Sequence, residues 1–297
     1  MATPETEGLH PEARGLDARA LPEIAALMLS SQQAALASVA GALDQIARGA
    51  ELMAEAIRSG GSLVYAAAGS SGLMALADAA ELEATFGLPA DRIALHMAGG
   101  IPQGAHMPGA TEDDAQAALV PASGVQPGDA VIAISASGTT PYPLSFLREA
   151  RARGARTIAI ANNPGTPMLE EAEVAILLAT PPEVVSGSTR LGAGTAQKAT
   201  LNMMSTLMGI ALGHVYDGMM VNLRADNAKL VGRATGMIAR IADVSEARAA
   251  ACLEAARGEV KPAVLLAAGA SAEKVPALLA THQGNLRAAL ARIAEET

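Results

Sequence analysis

Two kinds of residue in this sequence carry chemistry: a few carboxylates set beside glycine-rich turns, and three runs of small hydroxyl residues. Glu81 and Glu83 lie in "DAAELEATFG", and Glu112 lies in "GATEDDAQAAL". Removing a proton next to a carbonyl needs a positioned base, and a glutamate serves when its surroundings tune it. The plain alternative for each is an acid at a helix end, favoured by the helix dipole without any catalytic role. The hydroxyl runs fall at 69–72, 135–140 and 186–195, the last inside "VVSGSTRLGAGTAQK" (184–198). If a helix starts there, its unpaired N–H groups face one way and suit an anionic or sugar-like ligand. The competing reading is an N-capped surface loop. Other chemistries find no footing. His10, His96, His106, His214 and His282 form no i,i+4 pair and have no cysteine partner, so no metal site is expected. Neither GxxxxGK[ST] nor GxGxxG occurs, and GxSxG is missing too.

The elements that must position these residues alternate between strand and helix. Leu36, Val39, Leu43 and Ile46 step by three and four, and Leu52, Met53, Ala56 and Ile57 continue an N-terminal helical segment. "SGGSLVYAAAGSSG" then predicts a turn, a strand at Leu63–Ala67, a Ser/Gly loop and a helix from about Gly72 to Ala84. Further strands are expected at "RIALHM", Ala130–Ile134, Thr157–Ala161 and "AEVAILLAT", with a helix from about Pro141. This alternation predicts an α/β fold with a parallel sheet flanked by helices, and ligands bind such sheets at the carboxyl ends of the strands. All three hydroxyl runs follow predicted strands. Past residue 226 only short amphipathic helices follow, so the expected division is 1–230, an α/β domain with N-terminal helices, and 231–297, a small helical C-terminal domain.

Composition narrows the partners. The 297 residues are 51% hydrophobic but only 2% aromatic, with no Trp and 13 Met, and the formal net charge is −9. A surplus of acid and a shortage of stacking rings argue against nucleic acid. One cysteine, Cys252, excludes an internal disulfide and fits a reducing, cytoplasmic setting. The opening "MATPETEGLHPEARGLD" lacks the basic and apolar regions of a signal peptide. The uncharged stretch Ala199–Tyr216 is long enough to raise the membrane question, but Thr200, Asn202, Ser205, Thr206 and His214 make it a core helix, and no membrane partner is expected.

Taken in order, these segments resemble the N-acetylmuramic acid 6-phosphate etherases, lyases on the sugar-isomerase (SIS) fold. The likeness runs almost end to end. It passes through "TEGLHPEARGLD", "LVYAAAGSSG", "DAAELEATFG", "MAGG", "GATEDD", "ISASGTTPY" and "NNPGTP", and is strongest at "GSTRLGAGTAQK", "LNMMST" and "NAKL". The resemblance implies a cofactor-free enzyme of amino-sugar metabolism and peptidoglycan recycling. It would remove D-lactate from the C3 ether of N-acetylmuramic acid 6-phosphate, leaving N-acetylglucosamine 6-phosphate. It makes Glu81 and Glu112 the two catalytic glutamates. By analogy with sugar-phosphate sites on this fold, it gives Ser70, Ser71, Ser135, Ser137, Thr140, Ser188 and Thr189 the role of donors to the sugar and its anionic group. Arg190 and Lys198 would add positive charge. A homodimer is also implied.

Several cationic family positions are not cationic here: Leu9, Leu73, Thr139 and Gly192 replace them. Each charge-assisted contact to a phosphate or carboxylate is worth about 1.5–3 kcal/mol, so their loss bears on the substrate. Glu83 also adds an acid close to Glu81. Besides the usual etherase, the alternatives are the same elimination on a less anionic or different sugar derivative, a non-enzymatic sugar-phosphate sensor, and an aldose–ketose isomerase.

Overall fold

The computed structural model describes residues 5–296 apart from 108, 224 and 226. Its contacts divide the chain into two compact units. The first comprises 1–80 and 91–205, the second 81–90 and 206–297, so the division falls between Ser205 and Thr206, where sequence reasoning drew it at residue 230.

The first unit is built on a five-stranded sheet: β1 (Leu63–Ala67), β2 (Ile93–Met97), β3 (Ala130–Ser135), β4 (Arg156–Ala161) and β5 (Val174–Leu177). All neighbours are parallel and the spatial order is β2-β1-β3-β4-β5. Every residue of β1 and β3 is buried, which is why both read as unbroken apolar runs rather than alternating ones. Helices in this unit are α1 (Leu21–Ala37), α2 (Leu43–Arg58) and α3 (Gly69–Ala79), and the second unit takes α4 (Leu82–Phe86). The first unit continues with α5 (Leu119–Ala122), α6 (Pro141–Ala152), α7 (Pro167–Glu171) and most of α8 (Gly192–Ala211). α6 and α5 pack on the face carrying Val64, Ala66 and Val131, and Phe146 of α6 is fully buried in that layer. α2 packs against β1, β3 and β5. The sheet is therefore flanked by helices as the alternation predicted.

Two details differ from the sequence reading. The helix expected from Gly72 to Ala84 starts at Gly69 and breaks after Ala79, so Glu81 stands at a junction before α4. Its final turn is pinned: the buried Asp78 carboxylate accepts hydrogen bonds from Tyr65 Oη at 2.9 Å, Asn202 Nδ2 at 2.8 Å and Ser205 Oγ at 2.9 Å. Burial, reinforced by Asp78, pushes the Tyr65 phenol well above its usual range, so it stays a donor. The apolar stretch with the length and composition of a membrane-crossing helix is Leu21–Arg58, not the segment that raised the question in the sequence. It comprises α1 and α2 joined by a 3-10 turn at Ser38–Ala42, and α2 buries Ile46, Leu52 and Met53 in the core. Within Ala199–Tyr216, Leu201, Met204 and Met208 are buried, as a core helix requires.

The second unit holds α4, the end of α8, and α9 (Ala228–Ala242), α10 (Glu246–Ala255), α11 (Val260–Ala267), α12 (Val275–Thr281) and α13 (Leu286–Glu296). It has its own core around Val221, Ile238, Leu253, Val264 and Leu286. A two-stranded antiparallel hairpin, β6 (Val215–Tyr216) and β7 (Met219–Met220), turns through Asp217 and Gly218. That Asp-Gly hairpin was missing from the sequence reading.

Candidate active site

In the first unit the sheet order places β1 between β2 and β3, so the chain switches sides of the sheet between β1 and β3. A cleft of about 370 Å³ opens at the carboxyl ends of those strands, where this class of sheet binds ligands. Ala68 to Ser71 enter it from the β1–α3 turn, and Ile134 to Pro141, except Gly138, from the β3–α6 turn. Glu112 and Asp113 come from the β2–β3 connection, Gly187 and Thr189 from the loop after β5, and Thr6 and Glu7 from the N-terminal segment.

The β3–α6 turn is a knot of hydroxyls. Ser135 Oγ lies 2.7 Å from Thr140 Oγ1 and 3.2 Å from Ser137 Oγ, while Ser137 and Thr140 are 3.1 Å apart. Backbone N–H groups of Gly138 and Thr139 donate to Ser135 and Ser137, which fixes the turn. α3 and α6 both begin at the cleft, and no side chain caps either start. The first-turn N–H groups of α3 and the dipoles of both helices favour negative charge there, while at α6 Pro141 and Pro143 carry no N–H.

Glu112 ties the two helix starts together. Its backbone oxygen accepts from Tyr142 N on α6 at 3.0 Å. Its Oε2 lies 3.5 Å from where a Cβ on Gly69, the first residue of α3, would stand. Gly69 has φ +54°, which a side chain strains, and a side chain there would also crowd the carboxylate. The N-terminal segment is held by Asn163 at the end of β4. Its amide donates to Thr6 Oγ1 at 2.9 Å and to Ala136 O at 2.9 Å, and its Oδ1 accepts from Thr6 N at 3.3 Å.

Of the residues singled out in the sequence, Ser70, Ser71, Glu112, Ser135, Ser137, Thr140 and Thr189 line this one cleft. Ser188, Arg190 and Lys198 do not; Arg190 and Lys198 are exposed. Glu81 is exposed and belongs to the second unit. The start of α8 is a clear departure from the expectation for 184–198. The buried Glu183 carboxylate accepts from Gly192 N and Ala193 N, each at 2.9 Å, so the protein's own anion occupies that helix start. A Cβ on Gly192 would come within 2.9 Å of Ala35 Cβ, so glycine here fits close packing on α1. Thr139 lines the cleft, whereas Leu9 is 79% exposed. Among the described residues no Lys, Arg or His lines the cleft, and three carboxylates (Glu7, Glu112 and Asp113) do.

Thr6, Glu7, Asp113 and Asn163 went unassigned in the sequence. The quoted "TEG" and "NNPGTP" were the available signals, but only the fold brings the chain's start to the end of β4. The histidines stay outside this cleft; His96 is stacked on Phe146 at 5.2 Å and burial lowers its pKa, favouring the neutral ring. Among the described residues no group of three or more His, Cys, Asp or Glu is placed to hold a metal.

Comparison with known proteins follows the same outline. The SIS domain model matches residues 10–162. The N-acetylmuramic acid 6-phosphate etherases of Salmonella choleraesuis and Salmonella typhimurium strain LT2 are each 39% identical to this chain over 301 aligned positions, spanning 98% of it and 99% of the relative. Among solved structures, a protein of Escherichia coli CFT073, solved as a complex, aligns with a TM-score of 0.50 at 16% identity, covering 67% of this chain and 97% of that one. At that identity the likeness concerns the fold.

Proposed function

Because this chain belongs to the N-acetylmuramic acid 6-phosphate etherase family, we propose that it is a lyase that releases D-lactate from the C3 ether of N-acetylmuramic acid 6-phosphate. In the open-chain aldehyde the C2 proton is α to the carbonyl and the lactyl ether is β to it. One glutamate of the pair Glu81 and Glu112 takes the C2 proton. The C2–H electrons form the C2=C3 bond as the C3–O bond breaks, and the other glutamate protonates the departing lactate oxygen. Water then adds across the enal, its hydroxyl to C3 and a proton to C2, giving N-acetylglucosamine 6-phosphate. No step needs a redox or metal partner. The hydroxyls of Ser70, Ser71, Ser135, Ser137, Thr140 and Thr189 orient the sugar and its anionic group, with Ser188, Arg190 and Lys198 in the outer loop and helix.

The observation that carries this reading is the Glu112 carboxylate placed over the start of α3, amid the serine and threonine turns of the cleft. The experiment is D-lactate release from purified protein, given N-acetylmuramic acid with and without its 6-phosphate. Release from the phosphorylated sugar supports the proposal.

A second reading rests on the cation-free lining of that cleft: the same elimination on a less anionic sugar derivative. Release from the unphosphorylated sugar alone would favour it, and silence with both sugars would reject elimination from N-acetylmuramic acid in either form and move the search to other β-alkoxy sugars.

We further propose a cytoplasmic homodimer that engages neither nucleic acid nor membrane. Leu21, Leu29 and Leu36 of α1, 80%, 62% and 47% exposed, supply apolar surface for a partner copy. A monomer in light scattering would refute the dimer.

A further inference from the structure

The second unit contains a cleft of about 880 Å³, lined entirely by its own residues, and neither Glu81 nor Glu112 is among them. Leu88, Val221, Leu223 and Val260 form apolar walls, all nearly inaccessible to solvent. Lys261 lines the same cleft and is only 6% exposed. Its Nζ lies 3.4 Å from where a Cβ on Gly284, another lining residue, would stand. Among the described residues no carboxylate approaches it within 4.0 Å, and its ammonium makes no hydrogen bond.

That position is costly for a cation in two ways. Burial takes most of the side chain out of water, and the ammonium, which faces the cleft, gains no partner in exchange. Lys261 is also the second residue of α11, whose start Glu259 flanks without a side-chain cap, so it sits at the positive end of a helix. Desolvation accordingly lowers its pKa to about 8. An anion bound here meets the ammonium and the open helix start at once and relieves both costs. The carboxylates of Glu83 and Glu259 line the cleft from exposed positions, so they call for hydrogen-bond donors on the rest of the ligand.

We infer that this cleft is a second small-molecule site, which takes a hydroxylated organic anion, its phosphate or carboxylate on Lys261 and its hydroxyls toward Glu83 and Glu259. A volume near 880 Å³ holds a sugar acid or sugar phosphate. The lining includes neither glutamate of the proposed elimination, and the inference does not depend on that reading.

The test is amide NMR of the isotopically labelled full chain, titrated separately with glucose 6-phosphate, gluconate and glucose. Saturable shifts at Lys261, Asn222 and Gly284 with either anion, and much weaker ones with glucose, are expected. The stronger anion identifies the class. Lys261→Met should weaken that binding roughly ten- to hundredfold, the worth of one charge-assisted contact. Its spectrum elsewhere shows whether it folds. No saturable shift around Lys261 in the wild-type chain overturns the inference, as does equal binding of glucose or unchanged affinity in a folded Lys261→Met. These outcomes are read without D-lactate release, so the two proposals stand or fall separately.

Discussion

The two clefts of this molecule offer an anion opposite kinds of welcome. The first is polar, built from hydroxyls, backbone N–H groups and two helix starts with no side-chain cap, and it carries carboxylates but no cation among its described lining. The second mixes polar side chains, Glu83 and Glu259 among them, with aliphatic ones, and holds one largely buried lysine. Dipoles fixed in glycine turns cost little when the site is empty, because small groups stay accessible to water. A desolvated point charge costs a great deal when empty and binds correspondingly hard when filled. A cleft of the first kind suits turnover, where the ligand must leave. One of the second kind suits occupancy.

The largest effect that would sharpen this contrast is at Glu112. Glu112→Gln should lower D-lactate release by roughly a hundredfold to ten-thousandfold, the usual worth of a general acid or base, with no change in the thermal midpoint because the side chain is exposed. A variant with normal turnover would remove Glu112 from the chemistry.

Next comes the stability of Lys261. Its folded pKa, about 8, lies below its unfolded value of 10.5. The unfolded chain therefore binds more protons between those values, and stability rises with pH across that window. Below it the buried ammonium is a standing penalty on the order of 3 kcal/mol. Lys261→Met should thus be more stable than wild type at neutral pH, with the gap closing as pH rises from about 8 toward 10.5. Urea melts at several pH values would show it. A gap that does not vary with pH would mean that Lys261 carries no such penalty, and the contrast between the clefts would weaken.

The smallest effect concerns the helix start that the first unit keeps for itself. Glu183→Gln leaves one acceptor for Gly192 and Ala193 but removes the charge, so it should cost about 1 kcal/mol of stability. D-lactate release should persist, since Glu183 does not line the first cleft. A loss of release at unchanged stability would bring α8 into the site.

How much of this was legible in the sequence follows from the range of the forces involved. Leu63–Ala67 is a strand in the sequence and in the structure because five apolar residues between turns suffice to specify a buried parallel strand. The hydroxyl turns after β1 and β3 were legible as turns for the same local reason, and the structure puts both on one cleft. The 184–198 run failed in part because a helix start reads alike whether a ligand or the protein itself caps it. Glu183 stands nine residues before Gly192, and nothing local says that its carboxylate turns back. Thr6 and Asn163 are 157 residues apart, and only the fold makes them neighbours. Nothing local in the sequence sets Lys261 apart, because burial is a property of what packs around a residue.

The sequence by itself determined the strands, the turns that follow them and the excess of acid, since these rest on residue type and short-range period, while the pairing of Glu81 with Glu112 rests on family resemblance. Tertiary structure alone decided which hydroxyls share a cleft, which helix starts are open, and that one lysine is buried without a counter-charge. Those outcomes depend on distances and desolvation set by residues far apart in the chain, and a linear pattern does not carry them.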